Sequence, residues 1–197
     1  MTDMVILAST SSTRQAMLRN AGVNFIPDAP RVDERALADH HPAWTPQDMA
    51  IGLAEAKAVE VSLRHVTSIV IGADQVLALG PVTFSKPRSV DDCRRQLTQL
   101  RGKNHHLISG VACARGGSVI WRHSESAELT MRAFSDDFLN SYLGTVGHDC
   151  TSSVGGYKIE GRGLQLFSSI RGDHFTILGL PLLPLLSFLR DIGEIAT

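Results

Sequence analysis

The run Ser68-Ile69-Val70-Ile71, followed at once by Gly72-Ala73-Asp74-Gln75, is the feature that most limits how this chain folds. A short continuous apolar run reads as a buried strand, and the strand signal continues past Asp74 to Leu79. A carboxylate therefore stands where a buried strand meets solvent. Helical segments flank it in sequence. Thr45-Pro46-Gln47-Asp48 offers a cap, a proline at the first helical position and an acid in the first turn, ahead of an Ala- and Leu-rich stretch to about Arg64. Ser89-Val90-Asp91-Asp92 opens another helix, with Leu97 and Leu100 at helical spacing and Gly102 as its stop.

Met4 to Ala8 reads as a first buried strand. Ser12-Thr13-Arg14-Gln15 then offers a capping box for a helix ending near Gly22, and the polar turn between them favours an anion. His106–Ala114 and Val119–Phe134 flank Arg115-Gly116-Gly117-Ser118 and predict a long hairpin. A helix over Ser135–Leu143, a strand over Leu164–Ile170 and a closing helix from about Pro181 to Ile192 complete the pattern. Helices interspersed with strands and hairpins give an α/β class with a mixed sheet. The expected organisation is one domain over 1–197 in two lobes around a cleft, with the smaller lobe at about 89–135.

At 197 residues the chain can bury a core without a metal or disulfide staple. Its 19 basic and 20 acidic residues leave a formal charge of -1, which argues against a broad nucleic-acid-binding face and makes any phosphate site local. Cys93, Cys113 and Cys150 are odd in number and widely spaced, so neither a disulfide framework nor a zinc site is expected, and a reducing cytoplasm is the expected home. The first residues lack a basic segment and a long apolar stretch, and no stretch approaches the roughly 20 apolar residues of a membrane span. The eight histidines show no His-x-x-x-His pattern, and there is no Walker-type Gly-x-x-x-x-Gly-Lys.

What remains is a set of acids, lysines, an arginine and hydroxyls of the kind a polyphosphate and its metal ion require. Asp74 and Glu34 suit a hard divalent ion such as Mg²⁺ or Mn²⁺, which takes one or two carboxylates with phosphate and water oxygens. Asp74 could equally orient or deprotonate a water. Arg14 offers a planar fork to phosphate, Lys57 and Lys86 offer point charges, and Ser9 and Ser11 offer hydroxyl donors.

In chain order, Leu7-Ala8-Ser9-Thr10-Ser11-x-x-Arg14, Val32-Asp33-Glu34, Ala54-x-x-Lys57-Ala58, Gly72-Ala73-Asp74-Gln75-Val76, Lys86-Pro87, Leu97-x-x-Leu100-x-Gly102 and Gly179-Leu180-Pro181-Leu182 resemble the Maf family of nucleoside triphosphate pyrophosphatases nearly end to end. The resemblance implies a fold similar to the inosine triphosphate pyrophosphatases, a frequent homodimer, and metal-assisted hydrolysis of a nucleoside triphosphate to the monophosphate and pyrophosphate. Under it Asp74, Glu34, Lys57 and Lys86 carry the chemistry, Glu34 and Asp74 hold the metal, and Ser9, Ser11, Arg14, Gln75, Lys158 and Glu160 meet the substrate.

Many members carry Gly-Ala-Asp-Thr and an Asp-Lys-Ala-Gly-x-Tyr segment. Here Gln75 and Ser152-Ser153-Val154-Gly155-Gly156-Tyr157 stand instead, which looks more like the branch acting on 7-methyl-GTP than the branch acting on dTTP and UTP. A catalytically weakened, nucleotide-binding paralogue that regulates cell division is the rival from another class. Neither a nucleic acid nor a membrane is an expected partner.

Overall fold

The computed structural model describes residues 4–196. One seven-stranded mixed sheet organises the chain, in the order β2-β1-β3-β5-β6-β7 with β4 paired to β3. Its strands are β1 (Val5–Ala8), β2 (Phe25–Pro27), β3 (Val70–Leu79), β4 (Val82–Phe84), β5 (Asn104–Arg115), β6 (Ser118–Met131) and β7 (Phe167–Arg171). The helices are α1 (Ser12–Asn20), α2 (Glu34–His40), α3 (Pro46–Ser62), α4 (Val90–Leu100), α5 (Asp136–Val146), α6 (His174–Ile177) and α7 (Leu182–Asp191). No described helix is long and apolar enough to cross a membrane.

Two compact units share the chain. Among the described residues, the first comprises 4–75, 108–126 and 173–196, and the second 76–107 and 127–172. The smaller lobe expected at about 89–135 overlaps the second unit at 89–107 and 127–135. The greater part of the β5–β6 hairpin, 108–126, belongs to the first unit.

In the first unit β1 runs parallel to both β2 and β3, pairing Val5 with Phe25 and Leu7 with Ile71. Side chains alternate across β3. Ile69, Ile71 and Ala73 join a core with Val5, Leu7, Leu18 and the α7 residues Leu182, Leu185 and Leu189. Gly72 faces α3 on the other side. A Cβ on Gly72 would lie 2.2 Å from the Ala54 carbonyl oxygen, and one on Gly110 2.4 Å from that of Ala50, so α3 rests directly on the backbones of β3 and β5. Only small residues permit this approach: Ala54 and Ala58 meet Ala112 and Ala114. The start of α3 carries the expected Thr45 cap and Pro46, and closes as a capping box, with Thr45 Oγ1 accepting from the Asp48 amide and Asp48 Oδ2 accepting from the Thr45 amide. The cap of α1 differs from expectation. Ser11 rather than Ser12 accepts from the Arg14 amide, and Gln15 turns outward to Arg19.

In the second unit β6 and β7 are antiparallel, and α4 and α5 accompany three short 3₁₀ turns at 147–152, 154–156 and 162–166. The last of these replaces the start of the strand expected over Leu164–Ile170, which begins only at Phe167. Cys93 on α4 and Cys150 in the first turn form a disulfide, with Cα atoms 6.3 Å apart. This corrects the expectation of no disulfide. The partners lie 57 residues apart, and only the packing of α4 against the turns brings them together. Tyr157 is buried with its hydroxyl 2.8 Å from His105 Nε2, and the Tyr142 hydroxyl donates to the Gly156 carbonyl at 3.1 Å.

Candidate active site

The close seat of α3 on β3 sets the centre of the site. Asp74 is two residues beyond Gly72 and therefore on the α3 face, where Lys57 Nζ lies 2.5 Å from its Oδ1. Lys57 also reaches Glu34 Oε1 at 2.7 Å. The lysine is buried and the Asp74 side chain only 12% exposed, whereas the Glu34 side chain is 55% exposed. One ammonium thus bridges a buried and an open carboxylate.

Glu34 reaches this place because α2 begins there. The helix was not anticipated in the sequence; Asp33 caps it, its Oδ1 accepting from the Ala36 amide at 2.9 Å. The preceding loop is stapled to the end of α3. Glu60 accepts from the Arg31 amide at 3.0 Å, Arg64 binds Asp28 and the Ala29 carbonyl, and His65 Nε2 lies 2.9 Å from Asp28 Oδ2.

Arg14 occupies the first turn of α1. Its Nη1 donates to the Ala73 carbonyl and its Nε to the Gly179 carbonyl, each at 2.8 Å. Ser9 is buried and accepts from the Ser11 amide at 3.2 Å, while Ser11 caps the helix. The two hydroxyls therefore shape the turn that carries Arg14.

Burial is the largest influence on Asp74 and raises its pKa. Lys57 and then Arg14 pull it back, and the Glu34 charge adds to the rise. A carboxylate whose pKa is raised by burial is a stronger proton acceptor than an exposed one, and the two cations beside it keep it available in its charged form. The ion pairs engage Asp74 Oδ1 and Glu34 Oε1, and among the described residues no hydrogen bond or ion pair engages Asp74 Oδ2 or Glu34 Oε2. No group of three or more metal-ligating side chains occurs among the described residues. Two carboxylates with free oxygens fit an ion that takes the rest of its shell from phosphate and water.

The structure therefore brings together Ser9, Ser11, Arg14, Glu34, Lys57 and Asp74 in the first unit. Gln75 points the other way. It follows Ala73 onto the opposite face of β3, where its Nε2 donates to Ser109 Oγ and to the carbonyls of Thr176 and Ile177 at 3.0–3.1 Å. Lys86, Lys158 and Glu160 lie exposed on the second unit. Sequence reading missed Ser109, Thr176 and Glu125, which are joined around α6. No local pattern marks them, and Gly179 alone signals the turn.

Three relatives share this chain nearly end to end. A 7-methyl-GTP pyrophosphatase of Brucella abortus is 48% identical over 192 residues, covering 96% of each chain. One of Rhizobium meliloti is 45% identical over 99% of each. A nucleoside triphosphate pyrophosphatase of Paramagnetospirillum magneticum is 50% identical over 96% of this chain and 99% of its own. Among solved structures, a nucleoside-triphosphatase (dITP/XTP pyrophosphatase) of Mycobacterium abscessus aligns over 96% of this chain and 98% of its own, at 15% identity and a TM-score of 0.47. The profile described as Maf-like protein matches residues 4–192, and the chain belongs to that family.

Proposed function

We propose that this chain is a nucleoside triphosphate pyrophosphatase that releases pyrophosphate from a modified guanine nucleotide such as 7-methyl-GTP. The observation that carries the reading is the buried Lys57 bridging Asp74 and Glu34 beside Arg14, in a chain whose relatives are named for this reaction. Water adds its oxygen to the α-phosphorus as the bond to the β-phosphate oxygen breaks. Asp74 accepts the water proton, and pyrophosphate leaves. Lys57 keeps Asp74 placed and charged until that proton arrives. Arg14, its guanidinium fixed by two backbone carbonyls, binds the phosphate chain.

A divalent cation, Mg²⁺ or Mn²⁺, would be held by Asp74 and Glu34 with phosphate oxygens, and would neutralise charge on the departing phosphates. On the family resemblance, Lys86 serves the phosphates and Lys158 and Glu160 the base. We place the activity in the cytoplasm, where the nucleotide pool lies.

Pyrophosphate release from 7-methyl-GTP, GTP, dTTP and UTP tests the reading, using chelator-treated protein before and after Mg²⁺ or Mn²⁺ is added. The expected result is metal-restored turnover with the highest kcat/KM on 7-methyl-GTP. Preference for dTTP or UTP would overturn the substrate, and no turnover across the panel would overturn the activity.

A further inference from the structure

A four-residue helix has too few internal hydrogen bonds to hold itself, yet α6 is tied down from every side. Asp173 Oδ1 caps it at the Thr176 amide, at 2.9 Å. Thr176 is fully buried, and its hydroxyl donates to Glu125 Oε2 at 2.6 Å, while His123 lies 3.2 Å from the other Glu125 oxygen. The backbone carbonyls of the same turn are aimed across the core. That of Thr176 accepts from Ser109 Oγ at 2.7 Å and from Gln75, that of Ile177 accepts from Gln75, and that of Gly179 accepts from Arg14 Nε. Gly179 has φ +96°, a conformation that favours glycine, and a Cβ there would lie 3.4 Å from Arg14 Nη2.

The Glu125 carboxylate is linked to the Arg14 guanidinium through the Thr176 hydroxyl and the backbone turn from Thr176 to Gly179, which the Gly179 amide closes by donating to the Thr176 carbonyl at 3.0 Å. One of the two carbonyls that fix the guanidinium plane, Ala73, belongs to β3. The other, Gly179, belongs to a turn whose position depends on the Thr176 hydroxyl. Gln75 and Ser109 brace that turn against β3 and β5 through its backbone carbonyls, whereas the Thr176 hydroxyl on Glu125 holds it by a side chain. Displacing the turn by about 0.8 Å would carry the Gly179 carbonyl beyond hydrogen-bond reach of Arg14 Nε and let the guanidinium turn about its Nη1 bond to Ala73.

We propose that Thr176 and Glu125 are positioning residues for Arg14, setting its guanidinium for the phosphate chain through α6 and the Gly179 carbonyl. The proposal rests on the reading of Arg14 as a phosphate-binding residue.

The test is a double-mutant cycle between Thr176→Val and Arg14→Lys, read as KM and kcat on 7-methyl-GTP and as the affinity for inorganic triphosphate by calorimetry. Thr176→Val is expected to weaken triphosphate binding and raise KM roughly tenfold, with a smaller change in kcat. Thr176→Ser should restore both to within about twofold, because the hydroxyl returns. In the Arg14→Lys background the valine should add little, since the group being positioned is gone. Glu125→Ala probes the same hydrogen bond from its half-exposed end and should behave alike if Thr176→Val fails to fold.

Equal effects of the valine in both backgrounds, or no rescue by serine, would overturn the proposal. Absence of turnover in the wild type would instead overturn the pyrophosphatase reading, and the triphosphate affinities would still decide the cycle.

Discussion

Replacing Lys57 by methionine keeps the length of the side chain and removes the charge that joins Asp74 to Glu34. Glu34 is more than half exposed, so its half of the bridge is solvated and contributes little to stability. Asp74 is different. With its side chain only 12% exposed, it would be left as a buried carboxylate without its nearest partner. Breaking a buried pair from one side costs about 3–5 kcal/mol, or roughly 6–20 °C in Tm for a chain of this size.

The size of that loss depends on pH in a defined direction. Asp74 is already raised by burial, and without Lys57 it rises further. A carboxyl whose folded pKa exceeds its unfolded one binds more protons when folded, so its contribution to stability falls as pH rises between the two values. The mutant therefore loses most against wild type at pH 8 and recovers on acidification, by about 1.4 kcal/mol per pH unit in which the freed carboxyl takes up its proton. Urea unfolding of both proteins at pH 8 and pH 5 measures this, and adding Asp74→Asn to Lys57→Met should recover most of the stability while leaving turnover lost. An equal penalty at both pH values, or no recovery in the double mutant, would refute the argument.

His105 is fully buried, its Nδ1 has no hydrogen-bond partner, and burial, helped by the neighbouring His106, pushes its pKa down from 6.5 to about 4. The unfolded chain then binds the proton and the folded one does not. Stability should fall by roughly 3 kcal/mol as pH drops from 6.5 to 4, and His105→Gln should flatten that part of the urea-unfolding profile. Gly72→Ala would drive a methyl group to 2.2 Å from the Ala54 carbonyl oxygen, so α3 must lift from β3. A loss of about 3 kcal/mol or more is expected, with Tm and turnover falling together because Lys57 moves with α3. The Cys93–Cys150 bond closes a 57-residue separation, so reduction should cost about 2–4 kcal/mol in urea unfolding. Thiol titration of the unreduced, unfolded protein should find Cys113 alone, and three reactive thiols would contradict the pairing.

The elements visible in the sequence were those whose signals are local. The Thr45-Pro46-Gln47-Asp48 start of α3 and the apolar run entering β3 depend on residues within a few positions of each other, and both stand in the structure with ends shifted by one or two residues. The elements not anticipated are short: β2, α2, β4 and α6 have three to seven residues each and are held by tertiary contacts rather than by propensity.

The same division runs through the site. Asp74 and Lys57 were legible as candidates, but their 2.5 Å contact depends on glycine at 72 and alanines at 54 and 58, which allow helix and strand to touch. The alternation that sends Asp74 to α3 sends Gln75 to α6. A reading of adjacent residues as a unit could not separate them, because the orientation of a strand is decided by what packs on each face. Ser109, Glu125 and Thr176 are contributed by three distant segments and carry no shared pattern at all.

The most direct test of the account is single-turnover pyrophosphate release from 7-methyl-GTP with Mg²⁺, comparing Asp74→Asn with the wild type. Asparagine keeps the size of the side chain and a hydrogen-bond acceptor for Lys57, so the fold and the Arg14 contacts should persist while the proton acceptor is lost. The account predicts a fall of about 10²-fold or more in the rate of the chemical step, with the urea midpoint retained. A variant that folds and keeps more than roughly a tenth of the wild-type rate would contradict Asp74 as the proton acceptor.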